Sequence, residues 1–450
     1  MQTFERLERT PATIFNPKAF KPKAFKPLTL ATMIAASIVA VPASADAVLD
    51  RITALEQELT ALKTQLKEKE ELQHKKGVEL KKGTRFQYGG YIKLDSSWSN
   101  YSDAQRANNV GDDFLVPSTI PVGDGTNDGD TVMDTNAKFS RLWFKTTTET
   151  SAGTVSSYIE TDFNGSNDER LTNQSFNGLR HAFLKWDYSD SSSLLFGQTW
   201  STFFNVGALP EAIDFVGPTS GTVFVRQSQV RWTHKLGNGS SVMLAAENPS
   251  VGVWDGGGGF ANNDTDDSAT PDLVARYNGK AGNLSYSLAA LGREITYDDQ
   301  ANDQDDDDYG FGVSLSGKYM FDNGDDIKFM FNHGNLGRYV ALQAFRDATV
   351  EADGKLDLVD VTGGYVAYRH HWNDQWRSTL SYAYSSADNP NSLATSDSVT
   401  KEVSNANLNL IYSPTKKLSF GAEYIYAERE VESGLDGDLK RVQFMGKWAF

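Results

Sequence analysis

From Thr84 to Phe450 apolar and polar residues alternate with a period of two, and this alternation limits the possible folds more than any other feature of the chain. The clearest stretch is 308–334. Phe311, Val313, Leu315, Tyr319 and Phe321 share one parity, Asp322-Asn323-Gly324-Asp325 turns the chain, and Ile327, Phe329 and Phe331 continue the same face. That pattern is a β-hairpin with one apolar face. Similar segments lie at 376–384 (Trp376, Leu380, Tyr382, Tyr384) and at 406–426 around Ser413-Pro414-Thr415, about 16 in all. Long connections at 99–136, 164–178, 202–221, 249–271, 295–308, 335–357, 387–400 and 431–438 alternate with short ones at 150–153, 189–192, 237–239, 279–282, 322–325, 372–374 and 413–416. A rim of short turns opposite a rim of long loops is what a membrane-spanning barrel requires. The predicted fold class is therefore all-β: a 16-stranded antiparallel transmembrane β-barrel over 84–450, with both chain ends on the periplasmic side.

Composition agrees where it bears on the question. With 18 Tyr, 25 Phe, 9 Trp and 38 Gly the chain is rich in aromatics yet polar on average, as expected when only the lipid face of each strand is apolar. It has no cysteine, which removes disulfide, metal-thiolate and thiol-nucleophile chemistry together. The formal charge of −16 becomes −20 without residues 1–45, which hold six Lys/Arg against two Glu, so nucleic acid is excluded as a partner.

Residues 1–45 read as a signal peptide: Lys18, Lys21, Lys23 and Lys26 precede an apolar run from Leu28 to Val41, and Ala43-Ser44-Ala45 predicts cleavage before Asp46. Residues 46–72 read as a coiled-coil oligomerisation helix, with Ile52, Leu59 and Leu66 at a and Val48, Leu55 and Leu62 at d. Arg51–Glu56′ and Glu58–Lys63′ pairs would align parallel chains, although a single amphipathic helix lying on a surface is the alternative. Lys- and Gly-rich residues 73–83 read as a linker. At the other end Val442, Phe444, Gly446, Trp448 and Phe450 share one parity. A strand ending on an aromatic residue is similar to the signal read by the barrel assembly machinery, which makes Phe450 a candidate assembly determinant.

Several stretches resemble the DcaP-like porins, a family of trimeric outer-membrane channels. They are Tyr88-Gly89-Gly90-Tyr91-Ile92-Lys93-Leu94-Asp95, Leu179-Arg180-His181-Ala182-Phe183, Phe196-Gly197-Gln198-Thr199-Trp200-Ser201, Leu209-Pro210-Glu211, Asp214-Phe215-Val216-Gly217-Pro218 and Val225-Arg226-Gln227. The resemblance is dense from about 84 to 235 and weaker beyond. It implies an N-terminal coiled coil, 16 strands, a homotrimer in the Gram-negative outer membrane, and passive uptake of small organic anions such as dicarboxylates. It also implies that 202–221 is a loop folding into the lumen.

If the aromatic parity of each strand faces lipid, the other parity faces water. That rule turns Lys93, Arg141, Lys145, Lys185, Arg231, Arg276, Arg293, Lys318, Lys328, Arg377, Arg441 and Lys447 inward, against Asp95, Glu160, Asp162, Asp187 and Glu423. Parity is ambiguous at 139–148, 179–188 and 223–236, where Arg180 and Arg226 fall, yet both stand in the family-like stretches and are candidate pore residues on that resemblance. A basic lumen favours anions, and guanidinium forks suit carboxylates. Glu211 and Asp214 either oppose this wall across the constriction or simply cap and turn their loop.

Acidic stretches at 298–308 and 264–267 read as solvated loops, with divalent bridging to lipopolysaccharide as the alternative. Gly256-Gly257-Gly258-Gly259 lacks the Lys and helix of a phosphate cradle, and none of the six histidines lies in a nucleophile-elbow or zinc motif. No cofactor or metal is predicted. A structural tether and a barrel hydrolase are the competing function classes.

Overall fold

The computed structural model describes residues 78–81, 83–103, 110–126, 128–165, 167–168, 174–175, 178–254, 268–299 and 304–450. The signal peptide, the coiled coil with Ile52, Leu55, Leu59, Leu62 and Leu66, and the run Gly256–Gly259 lie outside the described residues.

Sixteen strands close on themselves. They are β1 (Thr84–Tyr101), β2 (Arg141–Thr150), β3 (Gly153–Asp162), β4 (Gly178–Asp187), β5 (Ser192–Trp200), β6 (Arg226–Gly237), β7 (Ser240–Glu247) and β8 (Asp272–Ala281). The second half comprises β9 (Leu284–Asp299), β10 (Gln304–Met320), β11 (Asp326–Gly334), β12 (Asp360–His371), β13 (Trp376–Asp388), β14 (Thr400–Tyr412), β15 (Leu418–Val431) and β16 (Asp436–Ala449). Each pairs antiparallel with the next, and β1 joins β2 through Thr84–Tyr91 and β16 through Tyr91–Tyr101. Closure leaves no row of unpaired backbone groups facing hydrocarbon, where each would cost several kcal/mol. On β1 the alternation is direct: Tyr88, Ile92, Leu94 and Trp98 are exposed on the outside, and Lys93, Asp95, Ser97 and Ser99 are buried on the inside.

Several segments depart from the sequence reading; within the stretch read as the loop 99–136, Thr131–Asn136 is a strand paired antiparallel with Asp95–Asn100 of β1. Val78–Lys81, read as linker, forms a short strand folded back on Thr84–Phe86 through a turn at Gly83, whose φ of +86° suits glycine. Residues 295–308, read as loop, are mostly strand: β9 and β10 stay in register from Leu284↔Tyr319 to Asp299↔Gln304. Ile295 and Tyr297 continue the inward parity into an apolar cluster with Val251, Val253 and Ala348, while the opposed aspartates are eased by Lys355 Nζ, 2.8 Å from Asp306 Oδ1. Within the stretch read as the last long loop, 431–438, β16 already begins at Asp436, which pairs with Glu430.

The lumen is also less watery than parity alone implies. Phe203, Phe204, Val223, Val274, Leu291, Met330, Leu336, Val340 and Val361 form one buried apolar cluster inside the wall. Two long loops supply the plug, L3 (residues 201–225) and L6 (residues 335–359).

Candidate functional site

L3 leaves β5 and turns into the barrel because the wall offers partners for its backbone at almost every step. Arg276 on β8 donates to Phe204 O (2.8 Å) and Asn205 Oδ1 (3.0 Å), Lys328 on β11 to Leu209 O (2.6 Å), and Tyr365 on β12 to Ala208 O (2.9 Å). Asn409 on β14 donates to Glu211 O, Lys93 on β1 to Ile213 O (2.8 Å), and Ser385 on β13 to Ser220 O (2.5 Å). Glu423 on β15 accepts from the N–H groups of Ile213 (2.9 Å) and Asp214 (3.1 Å). Gly221 lies so close to β12 that a Cβ there would overlap the Gly364 carbonyl oxygen. These bonds satisfy loop backbone that would otherwise be buried without partners.

The two readings of the L3 acids divide between them. Glu211 opposes the basic wall: Arg377 grips it with Nε and Nη2, both at 2.6 Å, and Arg369 Nη1 stands 3.5 Å away. Asp214 turns the loop, accepting from Val216 N (3.1 Å) and Gly217 N (3.3 Å), and also receives Leu115 N (2.9 Å) of the first long loop.

Facing this arc, β2–β6 carry a charged cluster in aromatic surroundings. A bulge in the β3–β4 register, where Glu160 pairs with His181 but Thr161 with Leu179, leaves Arg180 over. Both Arg180 and His181 consequently point inward, which is why parity in 179–188 was unreadable. Arg180 Nε meets Glu160 Oε1 at 2.9 Å and its Nη1 meets Asp162 Oδ2 at 2.7 Å, while Arg141 Nη1 lies 3.3 Å from Glu160. Guanidinium carbons lie over aromatic rings: Arg141 over Tyr91 (5.3 Å to the centroid), Arg180 over Phe215 (5.4 Å) and Arg226 over Trp200 (4.9 Å). Arg226 lies within electrostatic reach of Arg180, Asp162, Arg141 and Glu160, so three guanidiniums share two carboxylates.

The other predicted cations have separate fates. Arg231 is partly exposed, with Glu247 as its charged neighbour. Lys185 pairs with Asp187 (2.6 Å) toward the periplasmic end of β4, and Lys145, Lys318 and Lys447 lie toward the same ends of β2, β10 and β16. Arg293 does not line the pore. It is wholly buried, meets Asp347 Oδ1 at 2.7 Å and Ser250 O at 2.5 Å, and fastens L6 and the loop after β7 to the wall. Arg441 is likewise enclosed by Ser99 and Gly111. Sequence parity missed Arg369, because the inward side of β12 carries Val361, Tyr365 and Ala367, as apolar as the outward Val366 and Tyr368. Phe450 is half-exposed at the outer face, and its N–H donates to Gly90 O (3.1 Å), joining the last residue to β1.

A closed sixteen-stranded antiparallel barrel narrowed by an inward third loop defines a porin-type outer-membrane channel. The chain belongs to the DcaP outer membrane protein family, whose model matches residues 38–450. Among solved structures it is similar to the outer membrane channel DcaP of Acinetobacter baumannii, at 26% identity and a TM-score of 0.68, covering 83% of this chain and 99% of that one. The fold also extends to Salmonella typhi OmpF in complex with daunomycin (12% identity, TM-score 0.51, 82% and 100% covered) and to OmpT of Vibrio cholerae (10%, 0.50, 83% and 100%). No curated protein matches the sequence.

Proposed function

We propose that this porin passes small hydrophilic solutes by diffusion and favours organic anions, dicarboxylates among them. The observation that carries the reading is the excess of guanidinium over carboxylate beside L3: Arg141, Arg180 and Arg226 against Glu160 and Asp162. Arg180 is consumed by its two ion pairs, whereas Arg141 and Arg226 remain partly exposed and lie over the rings of Tyr91 and Trp200. A pre-oriented guanidinium can exchange water for a bidentate carboxylate contact with little loss of freedom. Low-dielectric walls focus its field across a narrowed lumen. Lys145, Lys318 and Lys447 extend the positive surface toward the periplasmic exit.

Reversal potential of the reconstituted protein in a KCl gradient tests this. Wild type should favour chloride, Arg141→Gln/Arg226→Gln should lose most of the preference, and succinate should block current in wild type only. A cation preference in the unmodified protein overturns the proposal.

A further inference from the structure

On the extracellular side, segments remote in sequence close around a cavity of about 70 Å³. Its wall includes Ser118, Trp254, Phe345 and Arg346 from the long loops, Thr400 at the start of β14 and Arg429 near the outer end of β15. That volume is several times what one water needs, and it suits a small anion.

Arg429 is held with its charge unanswered. Nη1 donates to Ile120 O (3.1 Å), Nη2 to Ser398 O (2.8 Å) and Nε to Thr400 Oγ1 (3.1 Å), three neutral acceptors. Among the described residues no carboxylate pairs with it. A half-buried cation without a counter-charge is unfavourable until an anion completes it.

A second observation lies on the same wall. Ala341, Leu342 and Gln343 are consecutive non-glycine residues at φ of 52°, 52° and 62°, in the left-handed region that L side chains rarely adopt singly. The turn is clamped from below, where Ala341 N donates to Thr222 O (3.2 Å) and Phe224 N to Tyr339 O (3.0 Å) of the L3–L6 seam. Strain of this kind persists only where surroundings over-determine it, and it gathers at ligand clamps. Here it delivers Gln343, Phe345 and Arg346 to the cavity.

We propose that this cavity is a second anion site, at the outer mouth, for a small free solute bearing a carboxylate or phosphate group. Arg429 and Arg346 take its oxygens, and Trp254 and Phe345 flank any carbon part. The site lies on other elements than the constriction cluster and does not depend on the anion preference proposed there. It would raise local anion concentration behind acidic surface such as Asp305–Asp308, which works against entry.

Calorimetric titration of the full-length, detergent-solubilised protein with succinate, and separately with inorganic phosphate, tests the site in an Arg141→Gln/Arg226→Gln background. That background should retain one binding event for at least one of the anions, and the stronger of the two identifies the group recognised. Adding Arg429→Gln should weaken it by about tenfold or more. Arg346→Gln carries the same expectation while leaving the Ile120 and Ser398 bonds of Arg429 in place, which covers the case in which Arg429→Gln fails to fold. Binding of neither anion in the constriction variant, or unchanged affinity in both mouth variants, overturns the site. Reversal potentials compared between wild type and Arg141→Gln/Arg226→Gln, with Arg429 and Arg346 unchanged in both, report on the constriction, so the two readings fail separately.

Discussion

The two arcs of wall that face each other across L3 carry similar inward cations and use them differently. On β8–β13, Arg276, Lys328, Arg369 and Arg377 are bonded to L3 itself, to Phe204 O, Leu209 O and the Glu211 carboxylate. On β2–β6, Arg141, Arg226 and Arg231 stay partly exposed, and the carboxylates near the first two lie on the wall. Whether an inward arginine fastens a loop or stays partly exposed therefore depends on whether a loop reaches it. Strand parity carries no information on that point.

The comparison breaks most severely at Arg180, the one cation on the open arc that is fully engaged. Arg180→Met would leave buried Asp162 without its ion pair and buried Glu160 with only the Arg141 contact at 3.3 Å, and removing one member of a buried ion pair costs about 3–5 kcal/mol. The midpoint of heat modifiability should fall sharply, and the reversal potential should move toward cations because the cluster changes from net positive to balanced. An unchanged midpoint would mean that the bulge holding Arg180 is incidental to the wall.

Glu211→Gln sharpens the contrast from the other side. It frees Arg377 from the loop and leaves Arg369 held by Asp326 alone, which makes the covered arc resemble the open one at Arg377. The pair is only partly buried, so the stability loss should be about 1 kcal/mol. Chloride preference should rise nonetheless, since one negative charge leaves the lumen and Arg377 loses its ion-pair partner, while Arg369 keeps Asp326. Equal or lower chloride preference would show that L3 seals those guanidiniums from the lumen by packing alone.

Most of the barrel was legible because strand alternation and turn rhythm are local properties: Phe311, Val313, Leu315 and Phe331 are exposed on one outward face, as their parity required. The family resemblance marked Arg180 and Arg226 where parity could not orient them. Three things were not legible. A bulge adds one residue without a local signature, so Arg180 and His181 on one face could not be foreseen. The inward apolar residues Val274, Leu291 and Met330 are buried in one cluster with L3 and L6 residues such as Phe203 and Leu336, a partnership that nothing in their own strands announces. The acidic run near Asp305 read as loop because like charges disfavour strands, while the relief from Lys355, some 50 residues away, is a tertiary fact.

The smallest effect is expected at the foot of the covered arc, in the periplasmic turn before β11. Asp325 accepts the backbone N–H of His371 (2.8 Å), the Tyr368 hydroxyl (2.7 Å) and a bond with His370 Nδ1 (2.9 Å), and these hold its carboxyl below the ordinary value of 3.8. A depressed folded pKa means that the ionised form is the one the fold favours. Its contribution is therefore complete above about pH 4 and is lost as pH falls further toward the folded value. Asp325→Asn should lower the unfolding midpoint slightly at neutral pH and reduce the loss that wild type shows on going from about pH 5 to pH 3. Next to it Asp326 pairs with Arg369, which reaches Glu211, so a loosened turn should weaken the grip on L3 as well. The check is the difference in midpoint between the two pH values for wild type and variant. If that difference is identical in both, the turn carboxylate is not coupled to folding, and the covered arc is held by its L3 contacts without support from the periplasmic rim.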